Sequence, residues 1–315
     1  MTIEILQPAS RAEWLDIRAP TIGASEIAAV LGVHPYLTPY ELWARKSGLA
    51  PPEADNKQMR RGRLLEPVAI NIIREERPGW IILPNSIPGG KFYRDIDAGR
   101  SCTPDVFIPH AEYRSFGICQ IKTVNTQPFQ NDWMIDGDVQ LPVYVAIQAM
   151  QEMHLTGASW GCVAALVGFD LDLYIIEVKL HAGVIERIDR AVPDFLRRVR
   201  ENDPPDPDYG RDGATISALY AEDDGGVVDL SGNERVLKLV ARREAMKEIE
   251  STATEAVKER KTIDAELMHF LGNAAAGTLA DGRMIECKTI RKRGFTVEPT
   301  TFRSIKIKSQ RISAA

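Results

Sequence analysis

Asp105, Gln120 and Lys122 have the residue types and spacing of a hydrolytic metal centre. They lie in the stretch Arg100–Thr123, RSCTPDVFIPHAEYRSFGICQIKT, where two short apolar runs flank a polar turn from Ala111 to Ser115. Two β-like runs joined by a polar turn read as a hairpin, and the two-residue period of a strand puts Gln120 and Lys122 on one face. Asp105, at the start of the first strand, then meets that pair across the hairpin. A carboxylate and a second oxygen ligand in this arrangement hold Mg²⁺ or Mn²⁺, and a lysine orients or deprotonates the attacking water. Gln120 is the discordant member, because the second ligand is expected to be acidic.

Several elements must position these residues. Trp14–Gly32, WLDIRAPTIGASEIAAVLG, reads as a loop entering a short helix that starts near Ser25 and stops at Gly32. Gly23 and Ala24 ahead of that helix leave backbone N–H groups to face an anion, with Arg18 able to close over it. By residue type alone, a turn glycine and a solvated arginine are the plainer reading. Thr38-Pro39-Tyr40-Glu41 carries a capping box with proline at the first helical position, and that helix stops at Gly48. After a polar linker from Ala50 to Asn56, QMRRGRLLEPVAINIIREERPG places Leu65, Ala69, Ile72 and Ile73 on one helical face. Glu66 sits beside that face, early in the helix, where it can turn toward the hairpin or serve as a first-turn acid at the helix dipole.

Trp80–Leu83 is a strand candidate. Val139–Thr156 gives a helix with Tyr144 and Gln148 one turn apart. Trp160–Val167 and Leu171–Val178 form an antiparallel pair, and a helix from about Ala182 to Glu201 follows. The order α-β-β-α-β-β-α predicts an α/β fold with a mixed central sheet flanked by helices. Asp203-Pro-Pro-Asp-Pro-Asp208 breaks the pattern and divides the chain into residues 1–205 and 206–315. The smaller C-terminal region reads as a long charged helix, about Asn233–Leu271, with Met246, Ile249, Ala253, Ala256, Ile263, Leu267 and Phe270 at 3–4 spacing, as in a helix that seeks a partner face. A hairpin from Gly277 to Lys288 leads into a basic tail through Arg291, Arg303 and Arg311, either solvated surface or a DNA contact.

With 44% hydrophobic and 26% charged residues among 315, the composition is that of a globular chain rather than a disordered one. A net charge of -5 argues mildly against a general nucleic-acid coat protein, but not against an enzyme with a local basic groove. The four cysteines lack C-x-x-C pairing and the five histidines lack ligand spacing, so structural zinc and a disulfide framework are not expected. No leader-like opening or membrane-length apolar run is present, and a cytoplasmic location with no membrane partner is the expectation.

In order, Arg18–Gly48, Gly62-Arg-Leu-Leu-Glu-Pro67, the Pro104-Asp105 to Lys122 hairpin and Tyr144–Gly157 resemble the YqaJ-type viral recombinases, relatives of phage lambda exonuclease in the PD-(D/E)XK superfamily. The resemblance covers about the first two-thirds of the chain. It implies a restriction-endonuclease-like core with Asp105, the residue at 120, the Ile121 carbonyl and Glu66 at the metal. It further implies Lys122 at the nucleophilic water, Gln148 on the following helix, and Arg18 and Ser25 at a 5′-phosphate, contrary to the plainer reading of those two. The implied activity is Mg²⁺-dependent 5′→3′ digestion of one strand of duplex DNA, leaving a 3′ single strand for a phage annealing protein. A homo-oligomer, such as a trimeric ring around DNA, is implied as well. Gln120 stands where the family has glutamate. Its carbonyl oxygen can ligate a hard cation but brings no charge, and a unit charge pair at about 4 Å is worth roughly 4 kcal/mol at an effective dielectric near 20. Activity is therefore expected to fall sharply. The substitution is either an engineered isostere that traps substrate or a natural variant that works slowly or only binds ends. An endonuclease on the same fold is a further alternative.

Overall fold

The computed structural model describes residues 2–51, 55–109, 116–221, 234–271, 276–278 and 284–286. In chain order its elements are β1 (Ile3–Leu6), α1 (Arg11–Arg18), β2 (Ile22–Gly23), a 3-10 turn (Ala24–Glu26), α2 (Ile27–Val30), α3 (Pro39–Lys46), α4 (Lys57–Glu76), β3 (Leu83–Pro84), β4 (Phe92–Asp95), β5 (Arg100–Cys102), β6 (Val106–Pro109) and β7 (Phe116–Val124). There follow α5 (Thr126–Asp132), β8 (Met134–Ile135), β9 (Asp138–Val139), α6 (Val143–Thr156), β10 (Trp160–Val167), β11 (Asp172–Val178), α7 (Ala182–Glu201), α8 (Gly213–Leu219), α9 (Glu234–Leu271), β12 (Ala276–Thr278) and β13 (Met284–Glu286).

The central sheet runs β11-β10-β7-β6-β3, with β7 and β10 parallel and the other neighbours antiparallel. Period-2 alternation gives this sheet two apolar faces. Cys119, Ile121, Cys162, Ala164 and Leu166 pack with Ala69, Ile70 and Ile73 of α4. Ile118, Val163, Ala165 and Val167 pack with Val145, Ala149 and Met153 of α6. The result is a mixed sheet between helices, the layout expected of a PD-(D/E)XK core. The predicted hairpin is the β6–β7 pair, with Val106 opposite Cys119; its turn, Ala111 to Ser115, lies outside the described residues.

Three expectations are corrected. Trp14–Arg18 is helix, not loop: Ser10 caps α1 by accepting from Glu13 N, and Glu13 reaches back to Ala9 N, so a capping pattern lay just upstream of the segment considered. Glu66 is not a first-turn acid, because Asn56 starts α4 at Lys57 by accepting from Met59 N. Ile3 to Cys102 also contributes strands the apolar pattern did not announce, a four-stranded sheet in the order β1-β4-β5-β2.

The chain divides into two compact units, Met1–Leu219 and Tyr220–Ala315. The boundary expected at residue 205 falls inside the first unit, because the segment after the prolines returns to it. Asp212 accepts from the Thr38 hydroxyl, Arg211 Nη2 donates to the carbonyls of His34 and Pro35 at 2.8 and 3.0 Å, and Ile216 and Leu219 pack on the α2–α3–α7 core. In the second unit, α9 leaves Leu237, Leu239, Met246, Ile249 and Val257 exposed among the described residues. The strands β12 and β13 pair antiparallel, as the predicted hairpin requires. The side chains of Ile263, Leu267 and Phe270 and the whole basic tail lie outside the described residues. No described helix is long and apolar enough to cross a membrane.

Candidate active site

Alternation along β7 aims Gln120 and Lys122 at α6, on the same side as Ile118. The contact is direct. Lys122 Nζ donates to Gln148 Oε1 at 2.7 Å, and Gln148 Nε2 donates to Glu152 Oε1 at 2.9 Å. Asp105 arrives from the turn between β5 and β6, where its Oδ2 accepts from Ile121 N at 2.7 Å and the Gln120 side chain adds a second hydrogen bond. Asn85 fixes that turn: its N donates to Asp105 O at 2.8 Å and its Nδ2 to Pro104 O at 2.9 Å.

The electrostatics are those of a site with more acceptors than donors. Burial first, and the charge of Glu66 second, push the Asp105 carboxyl up to about 7, against the pull of Ile121 N–H, Lys122 and Gln120. Burial first and Asp105 second push Glu152 up to about 8, with the Gln148 amide and Lys122 opposing. Burial also raises Glu66, and it holds the Lys122 ammonium below the usual lysine range despite Asp105 and Glu152. Gln120 Oε1 and Glu152 Oε2 are buried without a hydrogen-bond partner. Orphaned acceptors around a carboxylate suit a hard divalent cation, so the residues present fit Mg²⁺ or Mn²⁺. Among the described residues no three His, Cys, Asp or Glu side chains converge as a metal cluster.

The other sequence-predicted residues form a neighbouring pocket lined by Trp14, Arg18, Ser25, Thr103, Gln148 and Glu152, among others. Arg18 Nη2 donates to Ser25 Oγ at 3.2 Å and lies 3.7 Å from Glu26 Oε1, with the guanidinium 5.1 Å from the centre of the Trp14 ring. Trp14 Nε1 in turn donates to Thr103 Oγ1 at 3.2 Å. Burial acts to raise Glu26, but Arg18, Lys46 and the Gly23 N–H outweigh it and hold that carboxyl below its ordinary value. The expectation of free N–H groups is corrected at Gly23, whose N–H donates to Glu26 Oε2 at 2.7 Å. The role of Gly23 is room: a Cβ there would sit 3.0 Å from both Arg18 Nε and Nη2.

Asp105, Gln120, Ile121, Lys122 and Gln148 are thus brought together, Arg18 and Ser25 meet beside them, and Glu66 acts on Asp105 from α4. Glu152, Asn85, Trp14 and Thr103 were missed by sequence reasoning. Only Glu152 carried a signal, being one further helical turn along the row that already held Tyr144 and Gln148.

The fold is a mixed α/β sheet between helices, with the sequence-predicted residues gathered at one cleft of it. Residues 13–159 match the family model of the YqaJ-like viral recombinase domain, the same family the motif set resembles. An alkaline exonuclease from Laribacter hongkongensis is similar at 21% identity and TM-score 0.49, over 65% of this chain and 100% of that one. A phage-related exonuclease from Haemophilus somnus 129PT is similar at 13% identity and TM-score 0.42, over 58% and 94%. A putative exonuclease from Eubacterium rectale is similar at 11% identity and TM-score 0.43, over 69% and 94%. No curated protein matches the chain.

Proposed function

We propose that the chain is a metal-dependent 5′→3′ exonuclease acting on duplex DNA ends, of the phage recombination type. The observation that carries this reading is the Asp105–Ile121–Gln120–Lys122 cluster, with its orphaned oxygen at Gln120, lying beside the Arg18–Ser25 pocket. Asp105, the Gln120 carbonyl and the Ile121 carbonyl would hold the cation, with Glu66 reaching it directly or through water. The cation supplies charge stabilisation at the scissile phosphate.

Arg18 and Ser25 bind the terminal 5′-phosphate and so set the register of the strand. Gln148 holds the Lys122 amino group through its amide oxygen, and Lys122, whose charged form burial disfavours, orients the attacking water, takes its proton as the neutral amine and returns it to the leaving oxygen as the ammonium. Water oxygen bonds to phosphorus as the bond to the 3′ oxygen of the terminal nucleotide breaks. That oxygen takes a proton, and the next nucleotide inherits a 5′-phosphate. A 3′ single-stranded product for an annealing protein, and an oligomer that encircles the duplex, belong to the same proposal.

A second reading, that the chain binds DNA ends without cutting them, is favoured by the neutral amide at position 120 alone. The test is digestion of 5′-phosphorylated linear duplex with Mg²⁺ by the chain, Asp105→Asn and Gln120→Glu, with closed circular duplex as control. Digestion of linear but not circular DNA, lost in Asp105→Asn, supports the exonuclease. Cutting by Gln120→Glu alone supports the end-binding reading. Failure of all three to cut overturns the catalytic one, and cutting of circles transfers it to an endonuclease.

A further inference from the structure

One buried acid has no part in the proposed reaction. Glu152 is 1% exposed and lies one turn beyond Gln148 on α6. Its Oε1 accepts from Gln148 Nε2, while its Oε2 is buried with no partner. A buried carboxylate with an unsatisfied oxygen is costly, and a residue whose only task was to orient Gln148 or fill space would avoid that cost as glutamine or methionine.

The facing strand carries a second orphan of the same kind, Gln120 Oε1, on a residue only 6% exposed. With Glu152 ionised both orphans are acceptors, and a cation satisfies both at once without the proton that would otherwise have to sit on Glu152. The Lys122–Gln148 hydrogen bond sets the register between β7 and α6. Gln120 and Lys122 are same-face neighbours on the strand, and Gln148 and Glu152 are same-face neighbours on the helix. Glu152 also reaches the pocket that holds Arg18 and Ser25, which places it between the two halves of the site.

We propose that Glu152 supplies the second carboxylate charge of the cation site, standing in from α6 for the neutral Gln120 on β7. The inference rests on the cation-site reading above. Asp105 and Glu152 then give two negative charges to a divalent ion, and Gln120 and the Ile121 carbonyl give neutral oxygens. The chain is accordingly competent with glutamine at 120.

The test moves the charge and reads binding without DNA. Mn²⁺ affinity is measured by calorimetry, with thermal melts as a folding control, for the chain, Glu152→Gln, Gln120→Glu, Gln120→Glu/Glu152→Gln and Asp105→Asn. Glu152→Gln is expected to weaken Mn²⁺ roughly 10- to 100-fold, and the double variant to return within a few-fold of the parent. Parental affinity in Glu152→Gln, or a double variant as weak as Glu152→Gln, overturns the inference. If Glu152→Gln does not fold, Gln120→Glu alone decides. A gain below about tenfold means the charge was already present, and any larger gain means it was missing, which overturns the inference. Asp105→Asn separates the two levels: if it abolishes Mn²⁺ binding while Glu152→Gln does not, only the role of Glu152 fails. If it leaves binding unchanged, the cation-site reading fails and takes this inference with it.

Discussion

The two halves of the site are built on opposite plans. Around Arg18 one carboxylate is shared by two cations, leaving a positive surplus: Glu26 lies 3.7 Å from Arg18, 3.1 Å from Lys46 and accepts from Gly23 N. Between β7 and α6 the acids outnumber their partners, two acceptor oxygens are orphaned, and the single lysine is spent on a glutamine. A partly neutralised cationic pocket favours an anion at little cost in stability, whereas an acid-rich cleft favours a cation. Under the proposed function, recognition falls to the first half and chemistry to the second.

The largest expected effect breaks the second half. Asp105→Asn removes a full charge and should lower divalent-ion affinity by roughly a thousandfold, with cleavage lost in parallel, while affinity for 5′-phosphorylated ends, read by fluorescence anisotropy, is retained. Lys122→Met should lower kcat by about 10²- to 10⁴-fold without weakening end binding. A loss of end binding equal to the loss of rate would show that the two halves are not separate.

Breaking the first half should do less, and differently. Arg18→Ala is expected to raise KM for 5′-phosphorylated ends by about 10- to 100-fold and to leave 5′-hydroxyl ends nearly unaffected, because a hydrogen bond to a charged group is worth about 1.5–3 kcal/mol. Equal loss on both ends would sink the phosphate assignment. Gly23→Ala should cost only a few-fold in the same assay, since the added Cβ meets the far end of a flexible side chain at 3.0 Å.

The smallest effect sharpens the contrast through pH. Asp105 and Glu152 ionise at about 7 and about 8, above their ordinary values of 3.8 and 4.5, so the folded state holds their protons more tightly than the unfolded state. Without metal, stability from these groups is fullest below about pH 4 and is lost as pH rises through about 7 and 8. Glu26 has the opposite sign. Its depressed carboxyl contributes stability above its ordinary value of 4.5, which is lost as pH falls through the folded value. Metal-free melting temperatures should therefore fall from pH 5 to pH 8, and Asp105→Asn should flatten that slope. An unchanged slope in Asp105→Asn would remove Asp105 as its source.

Local rules made much of this legible in the sequence. The β6–β7 hairpin, the Thr38 cap of α3, α7 and the β10–β11 pair follow from periodicity and capping, which depend only on near neighbours along the chain. The strands β1, β4 and β5 escaped because segments of three or four residues owe their form to cross-strand partners rather than to their own alternation. The domain boundary moved because Asp212 and Arg211 find their partners more than 170 residues upstream.

The sequence by itself determined which chemistry is on offer: an aspartate, a glutamine and a lysine at strand spacing, an arginine and serine ahead of a short helix, and a charge missing at position 120. Tertiary structure alone decided that α6 lies across β7 in the register that sets Gln148 on Lys122, and so brings Glu152 to the same cleft. Strand spacing is fixed by backbone geometry, but the meeting of a helix and a sheet is fixed by the packing of Ile118 against Ala149 and Met153, a contact no local pattern specifies.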